Sequence, residues 1–83
     1  MGKIQNLKDN AIMILSDLAF IKQVEDGKPL LYAYNLKNPR QYGKFVVGPK
    51  GLRFSTGNLS ETNVYKATLI VERNEQRLLS YMR

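Results

Sequence analysis

The chain has 83 residues, with 13 Lys and Arg against 7 Asp and Glu for a net charge of +6, and it holds no Cys, His or Trp. This composition fits one small domain, 1–83, with a thin core. It excludes a disulfide framework, thiolate or imidazole metal sites, and the imidazole base on which most hydrolases rely.

Residues 1–26 place Ile4, Leu7, Ala11, Ile14, Leu18 and Ile21 at alternating steps of three and four, with Ile12, Leu15 and Ala19 widening the stripe. That spacing predicts an amphipathic helical segment over 1–26, and such a heptad-like stripe suits a homodimer if the rest of the fold leaves it uncovered. Asn6 or Asp9 can cap its start, and Gly27 followed by Pro29 reads as its stop. "VEDGKPLL" also carries an Asp-Gly hairpin signal, in which "LAFIKQV" would be a strand paired with "PLLYAYN". Glu25 and Asp26 oppose the dipole at a helix C-terminus and favour this rival. Period and length favour the helix. The longest apolar run, Ala11 to Leu15, falls short of a membrane span and of a signal segment, so the expectation is a cytoplasmic protein with no membrane contact.

From residue 28 to 83 the pattern reads as strands. Leu30, Tyr32, Tyr34 and Leu36 alternate along one face, and "KFVV" and "LRFS" flank the turn "GPKG". "STGNLSETN" is a polar loop, and "VYKATLIVE" with "RLLSYMR" forms a last hairpin in which Tyr65, Ala67, Leu69 and Val71 face the core. The expected fold is α+β, an N-terminal helix followed by about five antiparallel strands in a small curled sheet or barrel over 28–83. Its expected core is Ile14, Leu18, Ile21, Tyr32, Val47, Ala67, Leu69 and Leu79.

Charge is unevenly spread. Residues 27–60 hold Lys28, Lys37, Arg40, Lys44, Lys50 and Arg53 with no acid, together with Tyr32, Tyr34, Tyr42, Phe45 and Phe54. Cations for phosphate oxygens beside rings for stacking bases form the composition of a single-strand nucleic-acid surface. Lysines on turns that keep a small sheet soluble are the plainer reading of the same residues. The candidate interface is Lys37, Arg40, Tyr42, Lys44, Phe45, Lys50, Arg53 and Phe54, with single-stranded nucleic acid or a nucleotide as partner. The alternative is a protein-interaction module, a small viral or accessory protein that docks on a larger complex through its basic face or a sheet edge.

Two further patterns carry less. Gly48 and Gly51 make a Gly-x-x-Gly, the backbone clamp of KH domains, but its flanks read as strands and Pro49 lacks an amide hydrogen, so it is a turn. Glu25, Asp26, Glu72 and Glu75 lie beside turns and read as solvated charges. No cofactor and no enzymatic activity are expected, because the acids sit in polar or basic neighbourhoods that favour their charged form. Tyr65 beside Arg77 is the one remaining constellation with chemistry in it.

From Leu18 onward the order of pieces resembles the WYL domain. "LAFIKQVEDGKPLLYAYN" looks like its helix and first strand. Val47, Pro49 and Leu52 match a strand of the form Arg-x-Val-x-Pro-x-x-Leu, with Phe45 where the first Arg belongs. Tyr65, Arg77, Leu79 and Arg83 match the name-giving and closing strands, with Val64 and Lys66 in place of Trp and Leu and Met82 in place of Asp. The resemblance implies an SH3-like or Sm-like barrel and a ligand-sensing or nucleic-acid-binding regulator of the kind found in bacteria and in phage defence. It also implies a ligand pocket of Tyr65, Arg77 and Arg83.

Overall fold

In the computed structural model, which describes residues 2–82, the Asp-Gly turn organises the N-terminal half. Asp26 and Gly27 both have positive φ, 52° and 75°. Two such residues in succession match the right-handed twist of the strands they join, which Asp-Gly tolerates at little steric cost. The chain runs α1 (Gly2–Asn10), β1 (Met13–Leu15), β2 (Leu18–Glu25), β3 (Lys28–Asn35), β4 (Tyr42–Gly48), β5 (Gly51–Gly57), α2 (Glu61–Arg73) and α3 (Glu75–Met82). The expected helix over 1–26 is thus corrected: it ends at Asn10, and Leu18–Glu25 pairs with Lys28–Asn35 from Leu18↔Asn35 to Glu25↔Lys28. The heptad-like stripe is not one helix face, and the dimer premise built on it falls with it.

The five strands form one antiparallel meander in the order β1-β2-β3-β4-β5, an open sheet with β1 and β5 at its edges. The "GPKG" hairpin forms as expected, with Gly48↔Gly51 closing the β4–β5 ladder. The last expected hairpin does not form. "VYKATLIVE" and "RLLSYMR" are helical, and the helices cover a face of the sheet where further strands were expected.

Local chemistry explains those helices. Ser60 has extended backbone and its hydroxyl accepts from the Asn63 N–H at 3.3 Å, while Glu61 in the first turn and Arg73 in the last complement the helix dipole. Asn74 separates α2 from α3, its side-chain amide and its backbone N–H both donating to the Ile70 carbonyl at 2.9 and 3.0 Å. Glu75 then reaches across to accept from the Leu52 N–H at 3.3 Å, which ties α3 to the β4–β5 turn.

Strand alternation sends residues to opposite faces. Leu18, Phe20, Leu31, Ala33, Phe45 and Leu52 meet Leu59, Ala67, Val71, Leu78 and Met82 in the main core under α2 and α3. Ala19 and Ile21 point the other way and meet Leu7 of α1, with Ala11, Tyr34 and Leu36 packed against them. Of the expected core, Leu18, Ile21 and Ala67 are buried, while Tyr32, Leu69 and Leu79 are half-buried. Ile14, on the edge strand β1, and Val47, near the end of β4, are each 44% exposed.

Candidate functional site

α1 covers only the β1–β2 side of its face, and the register determines what the uncovered part displays. Ala19↔Tyr34↔Tyr42 form one row and Ile21↔Tyr32↔Lys44↔Thr56 the next. Gln23↔Leu30↔Val46↔Arg53 follow, then Glu25↔Lys28. Three tyrosines therefore gather on one sheet face. Their ring centroids lie 5.9 Å apart for Tyr32 and Tyr34, 5.9 Å for Tyr32 and Tyr42, and 6.4 Å for Tyr34 and Tyr42, so each ring neighbours the other two.

Glu25 fixes the lie of this surface. Its carboxylate accepts from the Tyr32 hydroxyl at 2.5 Å and from Lys44 Nζ at 3.2 Å. Glu25 stands four residues along β2 from Ile21, the register partner of Tyr32. That is about 13 Å of strand, a span the two side chains cross only by lying along the sheet. The phenol is thus laid over the row of Gln23 and Leu30 instead of standing away from it. The same contacts shift both acids. Hydrogen bonds from Tyr32 and Lys44 hold the Glu25 carboxyl below its ordinary value, and the hydrogen bond to Glu25, then desolvation, push the Tyr32 phenol up to about 12.

The sign of each shift sets a pH window. The Tyr32 contribution is complete below the ordinary phenol value of 10.0 and is lost as pH rises toward about 12. The Glu25 contribution is complete above 4.5 and is lost as pH falls through its depressed pKa. Ultraviolet titration of the phenols is expected to show Tyr32 ionising only near pH 12, and Glu25→Ala to bring that step back toward 10.0. A Tyr32 step unmoved by Glu25→Ala would show that the carboxylate does not hold the ring.

The expected interface residues divide between the two sides of the sheet. Tyr42, Lys44 and Arg53 lie on the tyrosine face. Arg40 is in the β3–β4 loop two residues before Tyr42, and Asn58 holds that loop by donating to the Arg40 carbonyl at 3.1 Å and accepting from the Tyr42 N–H at 2.8 Å. Lys37, in the same loop, pairs with Asp17 at 3.5 Å with both side chains well exposed. Lys50 sits in the β4–β5 turn. Phe45 is a correction: it is 1% exposed, on the opposite face beneath α2 and α3, and no base can reach it. Phe54 lies on that same opposite face, edge-on to Phe45 at 5.5 Å. Phe54 and Arg53 help line a cleft of about 290 Å³ between β5 and α2.

Tyr32 and Tyr34, among the rings of residues 27–60 but outside the expected interface, share one sheet face with Tyr42. Their alternation with Leu30 and Leu36 was visible, but α1 covers only part of the face they share. Glu25, a solvated charge in the sequence reading, is exposed and also accepts from Tyr32 and Lys44. Two residues of the pocket implied by the WYL resemblance fall on the C-terminal helices. Tyr65 is on α2 and 66% exposed, Arg77 is on α3 and exposed, and neither lines the β5–α2 cleft; Arg83 lies outside the described residues.

Among the described residues no group of acids could hold a metal ion, and no helix is long and apolar enough to cross a membrane. Comparison with family models, characterised proteins and solved structures finds no match to this chain.

Proposed function

We propose that this protein binds single-stranded nucleic acid, without catalysis, on the uncovered sheet face that carries Tyr32, Tyr34 and Tyr42. The observation behind the reading is the tyrosine cluster itself, laid along an open sheet with cations at its margins. Stacking on aromatic rings accepts any base, because every base has a π-face. Arg40 borders the cluster at the Tyr42 end and Arg53 at the far side, with Lys50 in the turn beyond. None of these three makes an ion pair among the described residues. A strand suits the site better than a lone nucleotide, since three rings and separated cations span several residues of a backbone.

Binding to random single-stranded DNA and RNA is expected to weaken with salt, with a log–log slope of about −2 for three neutralised phosphates. Duplex of the same composition is expected to bind less tightly, because its bases are already stacked. Absence of single-strand binding at low salt, or a preference for duplex, overturns the proposal.

One observation favours protein docking as a second reading. β1 pairs with β2 only over Leu18–Phe20, which leaves the outer edge of β2 from Ile21 to Glu25 without a neighbouring strand, with Val24 62% exposed. A partner added there would not need the tyrosines, so the substitutions that abolish stacking separate the two readings.

A further inference from the structure

A cleft of about 350 Å³ opens between α1 and the β2–β3 face. Its apolar floor is Leu7 and Ile21, and its polar rim is Asn6, Asn10 and Gln23. Tyr34 also lines it, and the same Tyr34 ring is a member of the tyrosine cluster. The cleft therefore opens directly off the face assigned to the strand. Its volume is near the lower end of small-ligand sites, about 300–1,000 Å³, large enough for one base and too small for a folded partner.

We infer that this cleft receives one nucleobase of the bound strand and makes the protein selective among bases; this rests on the proposed single-strand binding. An amide side chain carries one donor and one acceptor side by side, the arrangement that reads a base edge through paired hydrogen bonds. Asn10 Nδ2 is committed to the Asn6 carbonyl at 2.8 Å, so that amide offers its oxygen. Asn6 and Gln23 are exposed and make no side-chain hydrogen bond among the described residues, so each offers a donor and an acceptor. Leu7 and Ile21 supply an apolar floor for the ring while Tyr34 joins it to the stack outside. The tyrosine face accepts all bases alike; the amide-rimmed cleft is where they would be told apart.

The test uses four labelled homopolymers of equal length, titrated with the wild type and with Asn6→Ala, Gln23→Ala and the double variant. Both positions are exposed, and circular dichroism with a thermal melt verifies that each variant is folded. The wild type is expected to rank the four, and the double variant to narrow the spread between best and worst by about tenfold, with little change for the poorest binder. Equal affinity of the wild type for all four, or an unchanged ranking in the folded double variant, overturns the base cleft and leaves the single-strand proposal standing. Failure of the wild type to bind any of the four overturns both.

Discussion

Alanine at Tyr32 and Tyr42 together is expected to weaken single-strand binding by about 100-fold. Each base stacked on an aromatic ring contributes about 1–3 kcal/mol, so removing two platforms at the lower part of that range accounts for the loss. The cluster has a second role that the design must separate out, because the rings touch one another and Tyr32 is tied to Glu25. Tyr32→Phe keeps the ring and deletes the hydroxyl, so it is expected to retain most of the affinity while losing the high-pH phenol step. Phe54→Ala lies on the other side of the sheet and is expected to leave affinity unchanged. The readouts are a titration at low salt and a urea melt of each variant. Undiminished binding by a folded Tyr32→Ala/Tyr42→Ala protein would overturn the stacking site. Equal loss in Phe54→Ala would move the interface to the helical face.

In the two segments whose secondary structure the sequence misleads on, one periodicity imitates the other. Residues buried on both faces of a strand produce a continuous apolar run, and such a run contains a helical stripe as a subset. Leu18, Ala19, Phe20 and Ile21 are all buried because α2 and α3 cover one face and α1 the other, so the three-and-four spacing through Leu18 and Ile21 arises without a helix. The reverse occurs near the C-terminus. Ala67 and Val71, four apart, share a face in either a helix or a strand, and the alternation with Tyr65 and Leu69 tips the reading toward strand. The structure buries Ala67 and Val71 and exposes Tyr65, as helical spacing requires. Ser60 caps α2 by accepting from the Asn63 N–H, but within the polar stretch "STGNLSETN" both residues read as a loop. Local turn chemistry was more dependable than periodicity. Asp26-Gly27 and Pro49-Lys50 both form the turns their residues predict, since the preference there resides in the backbone and needs no tertiary partner.

The charge map was legible, but the side of the sheet on which each ring falls was not. Within residues 27–60 the composition identifies cations and aromatics and says nothing of the β4–β5 irregularity. The ladder shifts between Lys44 and Phe45, so that Lys44 opposes Thr56 and Phe45 opposes Phe54. Alternation on β4 then sends Lys44 to the tyrosine face and Phe45 to the core. Adjacent residues that look like one basic-aromatic motif are thus split between an open surface and a buried one.

Gly57→Ala is expected to be the most destabilising of the glycine substitutions in this sheet, by about 3 kcal/mol or more. Gly57 has φ of 150°, which an L side chain rarely adopts, and a methyl group there would run into the Tyr42 carbonyl oxygen and come within 2.8 Å of Gly43 Cα. Both obstacles are backbone of β4, which cannot swing aside: Tyr42 and Gly43 are paired to Tyr34 and Ala33 on β3. The same Tyr42 carbonyl accepts from the N–H groups of Asn58 and Leu59 at 2.9 and 3.2 Å, so displacing it also releases the segment leading into α2. Overpacking of about 1–3 kcal/mol adds to the backbone strain of about 1–2 kcal/mol. Gly27→Ala isolates the strain alone, with φ of 75° and no atom within 4 Å of the added carbon, and should cost about 1 kcal/mol. Gly51→Ala should fall between them, because the atoms nearest its methyl are those of the Glu75 carboxylate, a side-chain end that can move at the loss of its bond to Leu52. Urea denaturation of the three variants gives the order directly. A Gly57→Ala protein no less stable than Gly27→Ala would show that β5 does not approach Tyr42 as described. If the order holds, single-strand affinity should fall in Gly57→Ala even under conditions where it remains folded, because the displaced backbone is the one that positions Tyr42.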